Sequence, residues 1–208
     1  QTCHIVTPGG TINGADKILD VVCTTDTFFV SGTVVNLAQN NSISLSISTS
    51  SGSLTVDDST FVFPEPLADS TEFVVSIAAQ PTNPIQNCSL NNASGTINAA
   101  DITNVEVICN EVDYFVGVTV TGLTHNNFMT LRNNESDNLT IRNPGSYVFN
   151  DALADKDTYE VIILTQPKSP IQNCTLSNGT GTINADDIDD ITVNCDPSEE
   201  VIFSQSFE

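Results

Sequence analysis

The feature that most constrains this chain is that it repeats itself every 86 residues and carries a cysteine pair in each copy. Ala68-Asp69 returns as Ala154-Asp155, and Gln80-Pro81 returns as Gln166-Pro167. Pro84-Ile85-Gln86-Asn87-Cys88 returns as Pro170-Ile171-Gln172-Asn173-Cys174, and Gly95-Thr96-Ile97-Asn98-Ala99 as Gly181-Thr182-Ile183-Asn184-Ala185. The opening residues match only the last quarter of a copy, through Cys3, Gly10-Thr11-Ile12-Asn13, Asp16 and Cys23. The sequence therefore predicts a terminal β-hairpin fragment (1–23), a full unit (24–110), a second full unit (111–196) and a tail strand (197–208).

Within a unit the hydrophobic period is two. Ser42-Ile43-Ser44-Leu45-Ser46-Ile47-Ser48 alternates without a fault, which describes a strand with one wet face and one buried face. Phe61 and Phe63 continue the pattern, as do Phe73, Val75 and Ile77, and Val116, Val118 and Val120. Turn formers separate these runs: Asn40-Asn41, Ser51-Gly52, Asn143-Pro144-Gly145, Asn178-Gly179, and Pro81 to Pro84. Strands every eight to twelve residues predict an all-β fold of tandem antiparallel sandwiches with seven or eight strands each. No segment shows an amphipathic helical period.

The six cysteines are spaced 20, 21 and 21 residues apart within the couples Cys3/Cys23, Cys88/Cys109 and Cys174/Cys195. Six cysteines can pair in about 15 ways, and one recurring spacing favours pairing within each couple. Zinc is the rival reading, but it needs clustered Cys and His, and His4 and His125 fall outside any such spacing. Disulfides imply an oxidising compartment. Cys88 lies two residues from Leu90, and Cys109 two from Val107, so each bridge is expected at the inner face of its sandwich. Closing a loop of this length stabilises a domain by about 3 kcal/mol, a large share of a margin of roughly 5–15 kcal/mol.

The formal charge is −21, from 26 acidic residues against five Lys and Arg. Such a surface repels nucleic acid and anionic membranes. No apolar run is long enough to span a bilayer. Hydrophobic residues make up 39% of the 208 and are spread along the chain, so packed cores rather than disorder are expected. The chain opens at Gln1 without a signal peptide or lipidation motif and reads as a processed or excised product.

Particular residues also carry a resemblance. Asp137-Asn138-Leu139-Thr140, Gly145-Ser146-Tyr147-Val148-Phe149, Ala152-Leu153-Ala154-Asp155, Tyr159-Glu160-Val161 and Leu164-Thr165-Gln166-Pro167, followed by Cys174 to Cys195, resemble a repeat of bacterial secreted and surface proteins. That repeat is similar to immunoglobulin-like modules and to the Cna-B-like domains of surface adhesins. The resemblance implies a bacterial extracellular or cell-surface location and a role as spacer or stalk. The ending Val201 to Glu208 also resembles a short Phe-Glu ending of some secreted bacterial proteins.

Residues with catalytic potential are sparse. His125 sits in the turn Thr124-His125-Asn126-Asn127, with Gln39 at the matching position of the first unit, so it reads as a solvated turn residue rather than a general base. Cna-B-like domains can carry Lys–Asn crosslinks, but residues 24–109 contain no Lys, and Lys156 and Lys168 stand beside turn residues. Asp186, Asp187, Asp189 and Asp190 form an oxygen-rich cluster suited to Ca²⁺. The first unit has a single acid in that stretch, so a solvated turn is the favoured reading. Tyr114, Tyr147 and Tyr159 occupy positions held by Phe in the first unit and are expected in the core.

These observations predict a structural protein without an obligatory cofactor or enzymatic activity. Its expected form is a secreted filament, stalk or matrix subunit that associates with itself, with an adhesin or Ca²⁺-dependent glycan binder as the alternative. Strand exchange is assigned to the tail, through Val201, Ile202, Phe203 and Phe207, because an orphan strand and an orphan hairpin are open edges. The equal alternative is a piece of a longer array whose partner strands belong to its missing part.

Overall fold

The computed structural model describes residues 1–6, 14, 18 and 20–197. They divide into two compact units between Asn110 and Glu111, and every regular element among them is a strand. The first unit opens with a two-stranded ribbon, β1 (Thr2–Ile5) and β2 (Val21–Thr24). There follow β3 (Thr27–Phe28), β4 (Val30–Val35), β5 (Ile43–Ile47), β6 (Ser53–Val56), β7 (Thr60–Val62), β8 (Leu67–Ala68), β9 (Glu72–Ala79), β10 (Gln86–Asn91), β11 (Ser94–Thr96) and β12 (Ile102–Glu111). The second unit repeats the series as β13 (Asp113–Tyr114), β14 (Val116–Thr121), β15 (Met129–Asn133), β16 (Asp137–Ile141), β17 (Gly145–Val148), β18 (Leu153–Ala154), β19 (Thr158–Thr165), β20 (Gln172–Ser177), β21 (Thr180–Thr182) and β22 (Ile188–Pro197).

Eight strands of each unit make two four-stranded sheets. In the first unit these are β10-β12-β4-β7 and β11-β9-β5-β6, and in the second β17-β14-β22-β20 and β16-β15-β19-β21. Short two-stranded ribbons, β3–β8 and β13–β18, accompany the sheets of each unit. The alternation of Ile43, Leu45 and Ile47 with serines becomes a strict alternation of buried and half-buried side chains along β5. Those three residues meet Phe61, Phe73, Val75, Val105 and Val107 in one core. In the second unit Met129, Leu131, Ile141, Val161, Ile183, Ile191 and Val193 do the same, with Tyr159 buried and Tyr114 and Tyr147 packed against them.

The sandwiches are not wholly antiparallel. The first and last strands of the two-sheet sandwich in each unit are neighbours and run parallel, β4 with β12 and β14 with β22. A parallel pair needs a crossover, and here the whole intervening unit provides it. The three bridges Cys3–Cys23, Cys88–Cys109 and Cys174–Cys195 join antiparallel neighbours. Cys174 faces Cys195 directly in the β20–β22 ladder. The bridges of the two full units are buried within the cores, whereas Cys3 and Cys23 are exposed.

Left-handed backbone positions recur with the same period: Asn36 and Gly122, Asn40 and Asn126, Ser70 and Lys156, Asn92 and Asn178, and Ala99 and Ala185 all have positive φ. Asn and Gly suit such positions. Ala99 and Ala185 are held there by hydrogen bonds from their N–H groups to Asp69 Oδ1 (2.8 Å) and Asp155 Oδ1 (3.0 Å).

Candidate functional site

The polar residues that recur between the units are mostly occupied in holding backbone. Gln86 is buried. Its Oε1 accepts from the N–H of Ala38 at 2.8 Å, and its Nε2 donates to the carbonyl of Asn36 at 2.8 Å. Asn41, also buried, donates to the carbonyl of Pro84 at 2.7 Å. Gln172 and Asn127 make the same bonds in the second unit, to Thr124, Gly122 and Pro170. Gln80 spans the N–H and C=O of Cys88 at 2.8 and 2.9 Å, and Gln166 does so at Cys174. The Gln-Pro…Pro-Ile-Gln-Asn-Cys motif is therefore a clamp on its own loop. The sequence marks Pro81 to Pro84 as a turn but does not distinguish the buried amides of Gln86 and Gln172, at the starts of β10 and β20, from solvated ones.

The four aspartates do not converge. Asp186 and Asp187 lie ahead of β22, while Asp189 and Asp190 lie on it, where successive side chains point to opposite faces. Asp187 Oδ1 accepts from the N–H of Phe115 at 2.8 Å, as Asp101 does from Phe29 in the first unit. Asp186 Oδ1 accepts from the N–H of Asp187, and Asp190 from Asn178. Among the described residues no three His, Cys, Asp or Glu side chains gather as a metal-holding group. His125 is exposed. The exposed Lys156 meets the buried Asp155 at 3.3 Å and Asn184 at 3.1 Å, and Lys168 is exposed.

A cleft of about 770 Å³ opens in the first unit between the β4–β5 and β6–β7 loops, lined by Asn36, Asn40, Asp57 and Asp58 among others. Asp57 follows the last residue of β6. Arg142 holds the corresponding place after β16 and stacks over Phe128, 5.5 Å from the ring centre. The acidic rim therefore belongs to one unit and not to the repeat.

The ribbon β1–β2 leaves several apolar side chains exposed. It pairs Cys3 with Cys23, His4 with Val22 and Ile5 with Val21. Val21 corresponds to Val107 and Val193, which are completely buried, yet Val21 is 57% exposed, as is Ile5. These side chains would face a core in a full unit. Ile12 and Leu19, two further apolar residues of the opening fragment between its cysteines, lie outside the described residues, as do Val201, Ile202, Phe203 and Phe207 of the tail.

No family model matches the chain, and no curated protein matches its sequence. Solved structures do. The Bacillus anthracis TIE protein aligns over 86% of this chain with a TM-score of 0.50 and 12% identity. The likeness is one of fold. The chain covers only 37% of that protein's length. A streptococcal ancillary pilin aligns over 90% of this chain and 67% of its own, with a TM-score of 0.33 and 11% identity. The C-terminal fragment of the pilus adhesin SpaC from Lactobacillus rhamnosus GG aligns over 83% and 98%, with a TM-score of 0.35 and 9% identity. The tandem sandwich expected from the sequence agrees with the first of these. Among the described residues no helix is long and apolar enough to cross a membrane.

Proposed function

We propose that the chain is a structural segment of a bacterial extracellular or cell-surface protein, serving as spacer and as assembly element rather than as a catalyst. The observation that carries this reading is the use of the recurring polar side chains. Gln80, Gln86, Asn41, Asp69 and Asp101, with their counterparts in the second unit, all hold backbone groups of their own unit. What the repeat preserves is therefore its own scaffold. Disulfides buried in both cores suit an oxidising, extracellular setting.

Self-association is the finer part of the proposal. The ribbon β1–β2, whose Ile5 and Val21 are uncovered, takes an added strand at its open edge from the tail of another copy, supplied by Val201, Ile202, Phe203 and Phe207. A contact between unlike surfaces yields a filament when its rotation does not close into a ring. Electron microscopy and sedimentation of the intact chain, beside a chain lacking residues 198–208, test this. Filaments that vanish on truncation support it. A truncated chain that polymerises equally, or an intact chain that stays monomeric at high concentration, rejects strand exchange.

A further inference from the structure

We infer that each unit is a mechanical module loaded in shear, and that its disulfide caps how far the unit can be drawn out. Of the strands that build the first unit's two sheets, β4 is the first along the chain and β12 the last. These strands are neighbours and parallel, so tension on the two ends drags them past each other along their length. Every ladder bond between them is then stretched together, whereas a hairpin pulled from its open end yields one bond at a time. The ladder runs from Gly32 opposite Val105 to Val35 opposite Ile108, and the N–H of Ile102 adds a bond to the carbonyl of Phe29 at 2.9 Å. On its other side β4 is fastened to β7, where Phe63 donates to Val30 and Val34 to Ser59. The second unit repeats the arrangement: Val118 to Thr121 lie opposite Ile191 to Asn194, and the N–H of Ile188 bonds to Phe115.

Bonding directions alternate along a strand. Val116 accepts from Phe149 on the β17 side, while Phe115 accepts from Ile188 on the β22 side. Thr119 is an odd-numbered neighbour like Phe115, so its N–H points into the β14–β22 ladder.

The disulfide completes the device. Cys109 lies one residue beyond the last parallel pair and is bridged to Cys88 on β10. When the parallel pair gives way, the chain straightens as far as Cys88, and the covalent path then jumps to Cys109. The loop between them, a sequence separation of 21, stays closed. At about 3.3–3.6 Å per residue, the bridge withholds about 70 Å of length from each unit. Cys174 and Cys195 do the same in the second. The inference concerns each unit by itself and holds whether or not copies associate.

Single-molecule stretching of the full chain from its two ends tests both parts. The unaltered chain is expected to show two all-or-none unfolding steps, each about 70 Å longer under reducing than under oxidising conditions. Equal steps in the two conditions would remove the bridge from the load path and overturn the cap. For the clamp, Thr119→Pro, which removes an N–H from the parallel ladder, is compared with Leu131→Ala in the opposite sheet. Thr119→Pro is expected to lower the force of one step markedly while the first unit's step stays unchanged. Leu131→Ala should leave that force nearly intact although it lowers thermal stability. Should Thr119→Pro prevent the second unit from folding, Val193→Ala on β22 takes its place. A Leu131→Ala chain that loses as much force as the clamp variant overturns the inference.

Discussion

Asn133 and Ile47 occupy the same inward position of the repeat, at the ends of β15 and β5. Both are buried, but the Oδ1 of Asn133 has no hydrogen-bond partner. A buried carbonyl without a donor keeps its desolvation cost and gains nothing in return. Asn133→Ile, which copies the first unit, is therefore expected to stabilise the second unit by about 1 kcal/mol, read as a higher urea midpoint. An unchanged or lower midpoint would show that the amide is satisfied in solution. Tyr159 shows a second consequence of burial, standing where the first unit has Phe73. Its phenol is raised above the ordinary value of 10.0, first by burial and then by the negative charge of Asp190. In the unfolded chain the phenol ionises first, so above pH 10 the unfolded state holds fewer protons than the folded one. The stabilisation is complete below pH 10 and is lost as pH climbs through the folded-state value. Tyr159→Phe should accordingly flatten the fall in stability between about pH 9 and 11, measured by urea unfolding at each pH.

At the scale of the element, the buried bridges and the exposed one should behave differently. Replacing Cys174 and Cys195 by Ala opens a 21-residue loop and leaves a gap in the core, so the second unit should lose about 3 kcal/mol. The same change at Cys3 and Cys23, which lie exposed on the ribbon, should leave the unfolding of both sandwiches unmoved. Calorimetry of the two variants checks this, and a large loss from the ribbon pair would contradict it. The contrast also shows what the sequence made legible. Ile43, Leu45 and Ile47 announced a strand with one buried face because side chains alternate in any strand. That alternation is the same for parallel and antiparallel neighbours, so nothing in Val30–Val35 or Ile102–Glu111 revealed that they lie side by side. Their pairing spans 72 residues of chain and is set by closure of the sandwich. Asp187 was legible as an acid but not as the acceptor for Phe115, because that bond reaches between residues equally far apart.

At the scale of the whole molecule, charge and apolar exposure act against each other. The ribbon leaves Ile5, Val21 and Val22 uncovered, which favours contact with another chain. Yet the chain carries a formal charge of −21, and residues 24–110 contain no Lys or Arg to relieve it. Two copies approaching each other therefore repel over a distance set by ionic strength, about 30 Å at 0.01 M salt and about 8 Å at 0.15 M. If association proceeds through apolar strand contacts, salt removes the repulsion and leaves the attraction in place. Self-association should then strengthen from 0.01 to 0.15 M sodium chloride, and again as the pH falls toward the isoelectric point near 4.1. The two effects should share one cause, so raising salt at low pH should add little. Sedimentation velocity across that grid of salt and pH provides the measurement. Association that weakens with added salt would mean that ion pairs hold the copies together, and a contact made by the uncovered ribbon face would have to be abandoned.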